Sequence, residues 1–190
     1  MNDVEPGDLL TAAEAFARPF YAEAHRAYHS AEHVRAVLEA LDSRGLLTPT
    51  LALAVWGHDF IYNPRASDNE ERSAEVFGKW LREQGASSEL MAEVRPLILA
   101  TKHAAPPTTR AEALLVDADL SILGADERTF AAYDATIRRE YAHVPGPLYS
   151  IGRRKVLRGF LERERIFTTP EFTELEGRAQ VNLTAALKRL

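Results

Sequence analysis

A histidine and an aspartate stand side by side inside an apolar run, and this pair is the first place where the sequence could do chemistry. His58 and Asp59 lie within the segment LALAVWGHDFIY, residues 51–62. Because an isolated ionised carboxylate is too costly to keep in apolar surroundings, Asp59 must be neutralised by a cation, by hydrogen bonds or by a metal ion. A structural role at a helix end, with both side chains bonded to the backbone, remains open for the pair alone.

Further histidines and aspartates extend the pair. His25, His29 and His33 fall within nine residues, and His33 follows His29 by four. Imidazole and carboxylate together form a mixed nitrogen and oxygen ligand set that suits Mn, Fe, Co, Ni or Zn. Asp117 and Asp119 also stand in an apolar context, but residues two apart on a helix point about 200° away from each other. At most one of these two aspartates therefore aims into a given site, and a cap or an ion pair is the structural alternative for each.

The elements that must position these residues are helices. Apolar residues recur at helical spacing from end to end, which predicts an all-α fold, a single-domain helical bundle of about eight or nine helices over residues 1–190. Ser30 is a typical N-cap, and Gly45 and Gly85 are typical stop signals. The predicted helices are 9–25, 30–45, 49–61, 68–85, 87–103, 126–143, 147–165 and 170–190, with a loop at 104–109 and an apolar segment at 111–123.

Composition excludes several classes of function. The 190 residues contain no cysteine, which excludes zinc knuckles, iron–sulfur clusters, thiol catalysis and disulfide scaffolds. The 23 Lys and Arg against 28 Asp and Glu give a net charge of −5, which argues against an extended nucleic-acid surface. The sequence has no apolar run long enough to span a membrane and no secretory signal, so we expect a cytoplasmic protein without a membrane partner. Glycine-rich phosphate loops and the Gly-x-Ser-x-Gly elbow are also missing.

The order His33, then His58-Asp59, then Asp119 resembles the HD-domain superfamily of metal-dependent phosphohydrolases. The stretches that carry the resemblance look like a small bacterial subgroup usually described as predicted metal-dependent HD phosphohydrolases, and they extend over about residues 20–183. They are RAYHSAEH at 26–33, AVWGHDFIY at 54–62, DNEERSA at 68–74, ATKH at 100–103, DADLSILG at 117–124 and IRREY at 137–141.

The resemblance implies a metal site. Its ligands would be His33, His58, Asp59 and Asp119, holding one divalent ion among Mn, Co, Ni, Fe, Zn and Mg. Asp119 is preferred because the last ligand of the family typically follows a small residue and precedes a bulky stretch, and His29 is the rival of His33 for the first position. Dinuclear branches of the family add at least two histidines between the His-Asp pair and the last aspartate, and here that interval contains one.

The resemblance also implies hydrolysis of a phosphate ester or phosphoanhydride of a small molecule, with a nucleotide as the expected class. A metal-bound water would attack phosphorus, oriented or deprotonated by Asp59, Glu70 or Glu71. The substrate phosphates would meet Arg26, His29, Lys102 and His103. The alternatives are a non-catalytic metal- or nucleotide-binding regulator with the same fold, and an interaction protein in which these residues are structural. A homodimer is left open.

Overall fold

The computed structural model describes residues 6–190, and that range is all-helical. It contains nine α-helices and two short 3-10 helices and no strand, which confirms the predicted all-α class and helix number. Contacts group the chain into two compact units, residues 1–116 and 117–190. The single domain predicted over residues 1–190 stays a prediction. Within residues 6–190 no helix is both long enough and apolar enough to cross a membrane.

The first unit is built around a short buried helix. Its helices are α1 (Pro6–Tyr21), α2 (Ala31–Asp42), α3 (Pro49–Gly57), α4 (Asn69–Glu83), α5 (Ser88–Ala100) and the start of α6 (Arg110–Asp119). Every residue of α3 from Leu51 to Gly57 is buried, and α3 packs against α1, α2, α4 and α5. A helix covered on all sides has no polar face, which explains the unbroken apolar run before His58.

Glycine is required where α3 ends. A Cβ atom at Gly57 would lie 2.7 Å from side-chain atoms of both Phe77 and Ile98. Real Cβ atoms do not approach other atoms so closely, so the contact of α3 with α4 and α5 depends on the missing side chain. The backbone immediately before the His-Asp pair is thereby held against the core.

Helix starts and stops follow the local signals. Ser30 caps α2 by accepting a hydrogen bond from the Glu32 amide, as predicted. Gly45 and Gly85 follow α2 and α4 with φ of +67° and +82°, the left-handed region that favours glycine. Pro96 lies inside α5, so that segment is one helix.

Several predicted helix ends are too late, among them three in the first unit. Helix α1 ends at Tyr21 and not at residue 25, α5 ends at Ala100 and not near 103, and α3 ends at Gly57 and not at 61. The reason at α3 lies in competing partners. A continued helix would direct the Ile61 amide to the Gly57 carbonyl, but that amide donates to the Ser73 hydroxyl at 2.9 Å. The Val55 carbonyl, which would accept the Asp59 amide, accepts from His58 Nδ1 at 2.7 Å.

The second unit contains a 3-10 helix (Leu120–Gly124), α7 (Glu127–Glu140), α8 (Gly146–Leu161), a second 3-10 helix (Pro170–Leu175) and α9 (Glu176–Arg189). The two 3-10 helices touch, because a Cβ at Gly124 would lie 2.5 Å from Leu175 Cβ. The predicted helix 170–190 is thus divided in two, and the predicted helix 147–165 ends earlier, at Leu161.

Candidate metal centre

Two imidazoles from neighbouring helices of the first unit meet in the interior. His33 lies in the first turn of α2, three residues after the Ser30 cap, and His58 is the residue that caps the end of α3. Their Nε2 atoms are 3.1 Å apart, and the two residues are only 4% and 1% exposed. The packing of α2 against α3 therefore brings together two of the predicted ligands.

The backbone fixes the orientation of His58. Its Nδ1 lies 2.7 Å from the carbonyl oxygen of Val55, so Nδ1 carries the proton and donates it to that oxygen. In the neutral imidazole this leaves Nε2 with its lone pair on the side of His33. A carbonyl that holds the second ring nitrogen in this way is the usual support of a histidine metal ligand.

Asp59 adds a carboxylate to the two imidazoles. Its Oδ2 lies 3.1 Å from His58 Nε2 and 3.6 Å from His33 Nε2, and its side chain is 13% exposed. Burial alone would raise the pKa of Asp59. In their protonated forms, His58 and His29 supply positive charge and His58 also donates a hydrogen bond, and these effects outweigh burial and hold the pKa of Asp59 well below its usual range. Asp59 is therefore an anion facing ring nitrogens.

The spacing of these three donor atoms matches a metal site. Ligand atoms about 2.1 Å from a tetrahedral ion lie about 3.4 Å from one another. The three separations among His33 Nε2, His58 Nε2 and Asp59 Oδ2 are 3.1, 3.1 and 3.6 Å. The set offers two borderline nitrogens and one hard oxygen, so it could hold a divalent ion of the first transition series.

Arg26 lies behind this centre. Its buried guanidinium donates to the carbonyls of Asp59 at 2.6 Å, Phe60 at 2.9 Å and His29 at 3.1 Å, and its Nε donates to the Glu23 carboxylate at 2.9 Å. These bonds tie the segment before α2 to the segment after α3. Arg26 thus positions Asp59 through the backbone, and its predicted contact with substrate stays a prediction. Sequence reasoning did not give Arg26 this supporting role.

His29, the alternative to His33 as the first ligand, lies in different surroundings from His33. Its ring stacks on Tyr62 with centroids 4.3 Å apart, and it meets His33 edge-on at 5.9 Å. The carbonyl of Tyr62 in turn lies 2.9 Å from Nε2 of His25. The structure therefore brings His33 to His58 and places His29 beside them on an aromatic support. Sequence reasoning missed Tyr62, although it lies only three residues after Asp59.

The two predicted acids of α4 differ in their surroundings. Glu70 is half-buried, and burial, together with the negative charges of Asp59 and Glu71, raises its pKa against the opposing effects of a backbone hydrogen bond and Lys102. Glu71 is exposed and bonded to Lys102, which lowers the pKa of Glu71. Glu70 is thus the acid whose charge is coupled to the carboxylate of Asp59.

Lys102 and His103 follow α5. Lys102 Nζ pairs with the Glu71 carboxylate and also donates to the Ser67 carbonyl at 2.8 Å. His103 has a φ of +54°, a left-handed conformation that residues other than glycine adopt infrequently. Lys102 is therefore engaged with α4 through Glu71, and the predicted substrate contacts of Lys102 and His103 stay predictions.

The aspartates of the second unit are separated by the helix geometry. Asp117 is fully buried, and its carboxylate accepts the amides of Thr168 at 3.0 Å and Thr169 at 2.7 Å and the Thr169 hydroxyl at 2.6 Å. Burial raises the pKa of Asp117 while these bonds lower it, and burial prevails. Asp117 thus caps the segment before Pro170. Asp119 is the half-buried last residue of α6, and its role as a ligand stays a prediction.

The chain matches no protein-family model, no curated protein and no solved structure. Membership of the HD-domain superfamily therefore stays a prediction from the motifs quoted above.

Proposed function

We propose that the protein is a metal-dependent phosphohydrolase whose centre is formed by His33, His58 and Asp59. The observation that carries the proposal is the convergence of two Nε2 atoms and one carboxylate oxygen on side chains of the first unit that are largely inaccessible to solvent. The depressed pKa of Asp59 supports it, because a carboxylate kept ionised there suits a bound cation.

We assign the fourth ligand to Asp119. The assignment rests on the resemblance, in which the last ligand follows a small residue, as Asp119 follows Ala118. The capping role of Asp117 supports the choice within the pair, because the carboxylate of Asp117 is already surrounded by donors of Thr168 and Thr169. One divalent ion among Mn, Co, Ni, Fe, Zn and Mg would occupy the site.

When bound, the ion lowers the pKa of a water ligand and polarises a phosphoryl oxygen of the substrate. Asp59 would help to hold the ion, while Arg26 holds the Asp59 backbone in place. Glu70 takes the proton of the attacking water, since a half-buried carboxylate with a raised pKa is a stronger base than an exposed one. Glu71 is the weaker candidate because Lys102 neutralises it.

The substrate phosphate would be met from two sides. His29, supported on Tyr62, stands beside His33 and can donate a hydrogen bond from its ring. Lys102 can reach a phosphate by exchanging its Glu71 partner for it, and His103 follows on the same loop. The substrate is a small phosphorylated molecule, and the resemblance favours a nucleotide in the cytoplasm.

The test is phosphate release from a panel of nucleotides and small phosphate esters. Metal-stripped protein is supplied with Mn, Co, Ni or Mg, beside Asp59→Ala and a control, His143→Ala, which changes an exposed histidine of the second unit. We expect metal-dependent release in wild type and His143→Ala and none in Asp59→Ala. Equal release by Asp59→Ala would contradict the proposal, and metal binding without any release would favour the regulatory alternative.

A further inference from the structure

A groove runs between α4 and α5 of the first unit, with a volume of about 560 Å³. Pockets of roughly 300–1,000 Å³ are the size that holds small organic ligands. Its floor is apolar, made by the buried side chains of Ala74, Leu81, Val94 and Ile98, with Met91 at one side. The floor therefore suits an apolar body.

Gly78 keeps this groove open. It lies in the middle of α4, where glycine is less favourable than alanine, and a Cβ atom built there would meet nothing within 4 Å. Neither helix propensity nor packing requires glycine at this position. What its missing side chain provides is free space above the floor.

The two ends of the groove differ in charge. The ion pair between Glu71 and Lys102 sets α4 and α5 side by side in opposite directions, so residues further along α4 face residues further back along α5. Seven residues on from Glu71 is Gly78, and seven back from Lys102 is Arg95. Arg95 is therefore level with Gly78 at the middle of the groove, Arg82 lies one turn further toward the α4–α5 turn, and Glu71 and Glu75 line the other half.

The positive half has free donors. Arg82 and Arg95 are exposed, and among the side chains that the structure describes neither of them pairs with a carboxylate. Lys79 also lies on the rim, and its Nζ is 3.9 Å from a carboxylate oxygen of Glu83. The charge of Glu71 is neutralised by Lys102. Two guanidinium groups remain beside an apolar floor, and a guanidinium recognises carboxylate and phosphate oxygens with paired N–H donors.

We propose that this groove binds a small amphipathic anion. Its apolar body lies on the floor above Gly78, and its carboxylate or phosphate head lies between Arg82 and Arg95. Glu75 at the opposite end repels a second anionic group, so the groove selects ligands that are charged at one end only. This site is separate from the three donor atoms of the metal centre, and the inference does not depend on the proposed hydrolase activity.

The test is calorimetric titration of the full chain, kept metal-free with a chelator so that no phosphate is cleaved. The probes are octanoate and octyl phosphate, with octylamine as the matched cation. We expect saturable binding of octanoate, octyl phosphate or both, and at least about tenfold weaker binding of octylamine. Preference for one anion identifies the head group. Absence of binding by both anions, or equal binding of octylamine, would overturn the proposal.

Two variants locate the binding in the groove. The double change Arg82→Gln with Arg95→Gln should weaken binding of the anions at least about tenfold. Gly78→Leu should abolish it by filling the space, and the fold should persist because nothing lies within 4 Å of the new Cβ. Unchanged binding in either variant would contradict the site.

Matched controls come from the second unit. Arg128→Gln changes an exposed arginine of α7, and Gly177→Leu changes an exposed glycine of α9 whose Cβ would also meet nothing within 4 Å. Both should bind the anions as wild type does. A loss of binding in these controls as large as that in the groove variants would show that the effect is not specific to the groove and would overturn the assignment.

Discussion

Two aspartates, the fully buried Asp117 and the largely buried Asp59, lie in different units and have opposite surroundings. Asp117 is enclosed by the amides and a hydroxyl of Thr168 and Thr169, all within 3.0 Å. Asp59 instead faces the Nε2 atoms of His58 and His33. Burial prevails at Asp117 and raises its pKa, whereas the imidazoles prevail at Asp59 and lower its pKa.

The difference shows that the partner of a buried carboxylate, and not its burial, separates a structural aspartate from a candidate ligand. Backbone amides are donors that cannot coordinate a cation, so Asp117 is committed to holding a turn. An imidazole nitrogen that has lost its proton has a lone pair, and that lone pair can coordinate a metal ion. Asp59 is therefore the carboxylate available for chemistry.

The largest expected effect comes from changing Asp59. Asp59→Asn keeps the shape of the side chain but removes the negative charge that would bind the ion. We expect metal-dependent phosphate release to fall by roughly a thousandfold or more. The measurement is initial rate per mole of folded protein, with circular dichroism as the check on folding. A variant that keeps half of the wild-type rate would place Asp59 with Asp117 as a structural residue.

The matching change in the second unit should act on stability. Asp117→Ala leaves the amides of Thr168 and Thr169 buried without their acceptor, which should lower the free energy of unfolding by about 3 kcal/mol. Urea unfolding followed by fluorescence measures this free energy, and we expect its slope against urea concentration to be the same in the variant and in wild type. A loss below about 1 kcal/mol would mean that water replaces the carboxylate and that Asp117 is not an essential cap.

The choice between the two histidines sharpens the comparison within the first unit. Because His33 Nε2 lies 3.1 Å from His58 Nε2 while His29 stacks on Tyr62, His33→Ala should weaken Mn²⁺ binding roughly a hundredfold. His29→Ala should change it less than about tenfold. Electron paramagnetic resonance titration of free Mn²⁺ gives both constants. The reverse order would make His29 the ligand.

The smallest effect is the pH dependence of the metal-free protein. Asp59 has a folded pKa below the unfolded value, so its stabilisation is present above about pH 4 and is lost as the pH falls. Asp117 has a raised folded pKa, so its contribution is present at lower pH and is lost as the pH rises through that pKa.

The two asparagine variants should therefore change the acid limb in opposite directions. Between about pH 5 and pH 3, Asp59→Asn should lose less stability than wild type, by on the order of 1 kcal/mol, and Asp117→Asn should lose more stability than wild type. Urea unfolding across this range measures both. Changes of the same sign would contradict the opposite surroundings assigned to the two carboxylates.

Local chemistry made much of the fold predictable. The Ser30 cap and the glycines at 45 and 85 marked helix limits correctly, and apolar spacing gave the all-helical class. The proximity of His33 to His58 was also predictable, because the family resemblance implies that both histidines are ligands of one metal ion. The end of α3 was not predictable, since it depends on Ser73, which lies 12 positions after Ile61 in the chain and accepts its amide.

Roles that depend on distant partners were also out of reach. The cap formed by Asp117 requires the amide of Thr168, which lies 51 residues further along the chain. No local sequence pattern predicts that contact. Arg26 is a cation in the stretch that contains His29 and His33, and this position favoured the prediction of a substrate contact. Its guanidinium instead donates to backbone carbonyls. The candidate side chains can be identified in the sequence. Their roles depend on the partners that they contact, and those partners are known only from the packing of the folded chain.

The metal centre is tested most directly by counting metal equivalents per chain after loading with Mn²⁺ or Zn²⁺ and removal of unbound ion. Wild type and the control His143→Ala should each retain one equivalent, and His33→Ala, His58→Ala and Asp59→Asn, each verified as folded, should retain none. Equal metal content in wild type and these three variants would contradict the centre assigned to His33, His58 and Asp59.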